Sequence, residues 1–122
     1  MTEKPQTRDE HPFFMFDHVQ SQPEAFREVA RRSRSLLNEL SQDVAAARKV
    51  YLVGIGTSYH ATQFGGHLFR VYAPQVDCEV WHAFDFCLYG PRLVENDVVI
   101  VVSHRGTKQF SLRALDLSLI HI

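Results

Sequence analysis

Apolar and polar positions change rhythm three times along the chain. From Phe26 onward, Val29, Ala30, Leu37, Leu40, Val44 and Ala47 recur at three- and four-residue steps. That spacing predicts an amphipathic helix. Ser21 and Glu24 stand at capping-box spacing and Pro23 fits a first turn, so the helix is expected to begin near Ser21 and end near Arg48. Glu28 and Arg32 can pair at i, i+4 on its other face, beside Arg27, Arg31 and Arg34. These arginines are a phosphate or partner surface, or more simply a solvated face. Val50–Val53 is then apolar throughout, as in a central parallel strand covered on both sides. A helix from about Ser58 to Tyr72 follows, with Ala61, Phe64, Leu68 and Val71 as its buried face. Gly65-Gly66 permits a close backbone approach, and Pro74 ends the segment. Cys78–Trp81 reads as a second strand, Ala83–Phe86 as a short helix or turn, and Val98–Val102 as a third strand. A last helix starts near Thr107.

This α-β-α-β-(α)-β-α order predicts an α/β fold, a three-layer αβα arrangement around a parallel sheet. Right-handed crossovers place the loops after the first and third strands on one edge of that sheet, where ligands bind. Residues 1–20 read as a polar tail followed by an aromatic segment, Pro12–Phe16, that docks on the core or binds a partner chain. Residues 21–49 are the long helix and 50–116 the α/β part. After Asp116 the helical pattern gives way, and 117–122 look like a non-native tail on a chain cut short after its third strand and helix.

Composition narrows the function. With 13 Lys+Arg against 14 Asp+Glu, net charge gives no argument for nucleic acid or an anionic membrane as partner. The longest apolar run, Val98–Val102, is far short of a membrane span. The start lacks a signal-peptide core, and two cysteines read as free thiols, so a cytoplasmic location is expected.

Two stretches carry chemistry. In the first, the strand ends in Gly54-Ile55-Gly56 and a helix opens on Thr57-Ser58. In the second, the strand ends in Ser103-His104-Arg105-Gly106-Thr107-Lys108. A phosphate needs converging N–H and O–H donors in a positive field, and helix N-termini with hydroxyl side chains supply both. Arg105 and Lys108 add charge, Gly56 and Gly106 allow tight approach, and no acidic residue occurs from Val98 to Leu115. The plainer alternative is that these Ser and Thr residues only cap helices. A dinucleotide fingerprint would put glycine where Tyr59 stands and an acid where Trp81-His82 stand. A P-loop lysine is absent, and nothing supplies the acidic pocket of a response regulator. No cofactor and no metal site are expected. His60 and His104 bind sugar hydroxyls or shuttle a proton, or are polar loop residues only.

Gly56-Thr57-Ser58-Tyr59-His60-Ala61 resembles the loop of the sugar isomerase (SIS) domain family, closest to the isomerase halves of glutamine–fructose-6-phosphate aminotransferases. Gln22-Pro23-Glu24-Ala25, Ala83 with Asp85-Phe86, and Asn96-Asp97 match in order, so the resemblance spans about His18 to Leu115. It implies a flavodoxin-like SIS fold that binds the phosphate and hydroxyls of a phosphorylated sugar, through Thr57, Ser58, Ser103, His104 and Thr107. It also implies a homodimer in the full-length parent. The family's usual second loop is Ser-Gln-Ser-Gly-Glu-Thr, so Arg105 replaces a hydroxyl and Lys108 a threonine. The acid, base and lysine of the family's isomerisation lie further along, so no catalytic residue is expected here. There is also no catalytic cysteine at the start and no room for a glutaminase domain. The parent is then an aldose–ketose isomerase or an aminotransferase-like enzyme of sugar phosphates. The alternative is a non-catalytic sugar-phosphate sensor, against which the lack of a helix-turn-helix pattern in residues 1–49 argues.

Overall fold

The computed structural model describes residues 7–120. It divides into two units, Met1–Glu39 and Leu40–Ile122. The elements in chain order are α1 (Phe14–Arg32), α2 (Arg34–Ala46), β1 (Lys49–Gly54), α3 (Thr57–Tyr72), β2 (Cys78–His82), α4 (Ala83–Tyr89), β3 (Asp97–Val102) and α5 (Gln109–Ile120).

The three strands form one parallel sheet in the order β2-β1-β3. Gly54 is in register with His82 on one side and Val102 on the other, so all three carboxyl ends finish level. Alternate residues of β1 face opposite layers. On one face, Gly65 and Gly66 bring the α3 backbone against Leu52 and Val80. On the other, Tyr51 and Val53 pack with Ala83, Phe86, Leu93 and Ala114 under α4 and α5. That is the expected three-layer αβα arrangement.

Ion pairs fix the amino edge of the sheet. Arg48 forks onto both carboxylate oxygens of Asp97, at 2.7 and 2.8 Å, and the Val94 N–H donates to Asp97 Oδ2 at 3.0 Å. The Asp97 side chain is 2% exposed. Burial alone would raise its pKa, but the Arg48 bonds, the Val94 N–H and the charges of Arg48 and Lys49 outweigh it and hold it below the usual carboxylate range. A depressed carboxyl pKa contributes stability that is complete above the unfolded value, about 3.9, and is lost as pH falls through the folded one. Asp97→Asn is therefore expected to cost about 2 kcal/mol at neutral pH. In urea melts taken across the acid range, that gap should close only below about pH 4. A constant gap at every pH would refute the assignment.

The N-terminal helical region differs from its expected form. One helix from about Ser21 to Arg48 was expected, with residues 1–20 as a tail and an aromatic docking segment. Instead α1 begins at Phe14, and the path breaks at Ser33, where ψ is −6°. Ser21 is interior, and its hydroxyl donates to the His18 carbonyl at 2.9 Å. Pro23 sits inside α1, where it lacks the N–H that would reach the Val19 carbonyl. The capping-box spacing is thus coincidental, because the aromatic stretch before it is itself helical. No residue of α1 or α2 is buried, and Phe26, Val29, Leu37 and Leu40 of the apolar stripe are exposed. Phe13, Met15 and Phe16 are exposed as well. Arg27 bonds Glu24, and Arg31 and Arg32 both bond Glu28, so most of the arginine face is neutralised locally.

At the other end, α5 begins at Gln109 rather than Thr107, and it continues through Leu117 to Ile120. The helical pattern therefore does not fail after Asp116. Residues 121–122 and 1–6, which belong to the two expected tails, lie outside the described residues. Cys78 and Cys87 are free, and burial pushes both thiols up. Cys87 Sγ donates to the Phe110 carbonyl at 3.4 Å, a packing role as expected for a thiol with no base beside it.

Candidate functional site

The site lies where β1 and β3 end side by side. The helix after β1 packs on one face of the sheet and the helix after β3 on the other. Adjacent strands whose helices part to opposite faces leave a crevice at their carboxyl ends.

Gly54 sets the first wall. A Cβ built there would stand 2.6 Å from the Ser58 carbonyl oxygen and 2.9 Å from the Tyr59 nitrogen. The first turn of α3 therefore lies directly on the strand end. Gly56 is the N-cap, with φ 61° and ψ −131°, a conformation that side chains avoid. It offers no side-chain cap. Thr57 and Ser58 are already in the first turn, so their hydroxyls do not serve as the N-cap. Neither hydroxyl has a hydrogen-bond partner among the described residues.

The second wall is residues 103–108. Ser103 Oγ accepts the Gly106 N–H at 3.1 Å, closing a tight loop, and Gly106 adopts φ +64°. That bond leaves the Ser103 O–H free to donate. The Lys108 carbonyl accepts the Leu112 N–H at 3.0 Å as α5 begins. His104, Arg105, Thr107 and Lys108 are exposed.

These walls enclose a cleft of about 840 Å³, within the range of small-molecule sites. Thr57, Ser58, Ser103, His104, Arg105, Thr107 and Lys108 line it together with Gly56. Gly106 shapes the loop without being part of the lining. Sequence reasoning did not single out Ile55, Ala61 and Val102, the apolar floor. Ala61 could have been found as the residue one helical turn after Thr57, and Val102 as the last residue of its strand. His60 is not in the lining; its Nδ1 lies 3.1 Å from Gln63 Oε1 on the exposed side of α3.

Charge in the cleft has one sign. No carboxylate is among its lining residues. Elsewhere Arg8, Arg27, Arg31, Arg32, Arg48 and Lys49 all have acidic partners. Among the described residues Arg105 and Lys108 have none, as is also true of Arg34, Arg70, Arg92 and Arg113, but only Arg105 and Lys108 line the cleft.

The chain is similar to parts of three proteins named glutamine–fructose-6-phosphate aminotransferase. Identity is 28% over 109 residues with that of Thermococcus kodakarensis, covering 88% of this chain and 18% of that protein. It is 30% over 102 residues with that of Bacillus licheniformis, covering 79% and 17%. It is 27% over 117 residues with that of Bacteroides thetaiotaomicron, covering 88% and 19%. The chain thus spans less than a fifth of the length of these relatives. No protein-family model matches the chain. The relationship reaches across most of this chain at low identity, and it agrees with the SIS-like order of elements.

Proposed function

We propose that this chain binds a phosphorylated sugar, as the segment of a sugar-phosphate isomerase or aminotransferase-like enzyme that holds the substrate's phosphate. The observation that carries the reading is the set of uncommitted donors. Thr57, Ser58, Ser103 and Thr107 offer hydroxyls, Arg105 and Lys108 offer charge, and all face one carboxylate-free cleft. The N-terminus of α3 adds its partial positive charge. The similarity to enzymes named for fructose 6-phosphate supports a hexose phosphate over other phosphates.

The role assigned to the chain is binding rather than proton transfer. Among the lining residues, His104 is the one imidazole. A carbonyl isomerisation needs a positioned base and acid together, so the remaining groups come from outside the cleft lining.

The test is calorimetric titration with fructose 6-phosphate and glucose 6-phosphate. Ser103→Ala is expected to weaken binding about tenfold, since it removes a charge-assisted bond and loosens the loop at Gly106. Arg34→Ala, on an exposed helix, should leave affinity unchanged. No heat with either sugar phosphate would refute the proposal.

A further inference from the structure

Resting on that reading, the structure points further: we infer that the ligand is doubly anionic, a sugar carrying a second acidic group besides its phosphate. The cleft has more cationic capacity than one phosphate ester uses. Thr57, Ser58 and the first turn of α3 form a cradle on one wall with no formal charge of its own. Arg105 and Lys108 stand on the opposite wall, with His104 beside them.

A neutral cradle of hydroxyls and helix amides is sufficient for one phosphate. Two further cations without acidic partners are then surplus. Their mutual repulsion is unopposed by any carboxylate in the lining. An anion placed between Arg105 and Lys108 relieves that repulsion, and the guanidinium can take two oxygens of a phosphate or a carboxylate side by side. The cleft volume of about 840 Å³ leaves room for both groups on one sugar. Arg105 and Lys108 are therefore specificity-determining: they separate a ligand with two acidic groups from one with a single phosphate.

The experiment is titration of the 122-residue chain with three probes: fructose 6-phosphate, fructose 1,6-bisphosphate and 6-phosphogluconate. At least one of the two doubly anionic probes is expected to bind roughly tenfold more tightly than the monophosphate, the ratio that one charge-assisted contact gives. Which one is preferred identifies the second group as phosphate or carboxylate. In Arg105→Gln and Lys108→Thr chains that preference should fall to within about twofold, and circular-dichroism melts verify that both variants fold. Pyrophosphate controls for capture of a bare anion; if it matches the tighter sugar, the inference is overturned. Equal or tighter binding of fructose 6-phosphate also overturns it, while leaving the sugar-phosphate reading in place. Silence from all three sugars overturns both.

Discussion

A Gly54→Ala chain is expected to lose sugar-phosphate binding and about 2–3 kcal/mol of stability together. The added Cβ would meet backbone, the Ser58 carbonyl carbon at 2.7 Å and its oxygen at 2.6 Å, so no side chain can swing aside to make room. Either β1 or the first turn of α3 must move. Every donor on the first wall moves with that turn, because Thr57 and Ser58 belong to it. The same change at an open position would cost little, so the predicted loss is specific to this contact. Urea melts and titration with fructose 6-phosphate measure the two losses. Wild-type stability with wild-type affinity would show that α3 tolerates the displacement.

Phe86→Ala should have the larger effect on folding, about 3–5 kcal/mol. Phe86 is 4% exposed and sits under both neighbouring aromatic rings of the sheet, 6.0 Å from Tyr51 and 6.2 Å from Trp81 between centroids. It joins α4 to the face that also receives Ala114 of α5. The core of this layer is small, so neighbours have little to collapse with and a cavity remains. Domains of this size have only about 5–15 kcal/mol in total, so the variant should melt at markedly lower urea concentration. A shift of the midpoint worth less than about 1 kcal/mol would mean that α4 is not part of the cooperative core.

The strands and the two loops were legible because their signals are local. A run such as Val50–Val53 states its own burial, and a loop rich in Ser, Thr and Gly states its own chemistry. The level carboxyl ends followed from parallel pairing, which the alternation of helices and strands already implies. What was hidden depends on distance in space. Gly54 looked like the last residue of a strand, and nothing in the sequence reveals that Ser58 folds back onto it. The Arg48–Asp97 fork joins residues 49 apart. The start of α1 was misplaced for another reason: Ser21, Pro23 and Glu24 compose a convincing helix start in the middle of a helix. The helical stripe from Phe26 to Leu40 was readable as a stripe, but periodicity says which residues share a face, not what covers them.

The bare N-cap of α3 has a consequence of its own. A helix normally completes its first turn with a side chain of its own chain. Here Gly56 supplies none, and the hydroxyls that follow it have no hydrogen-bond partner among the described residues. In the proposed function the sugar's phosphate is the cap. The first turn of α3 is then least ordered when the cleft is empty, and occupancy and local folding are two descriptions of one equilibrium. Part of the affinity is spent on winding that turn tight. A variant that finished the helix by itself would trade recognition for rigidity.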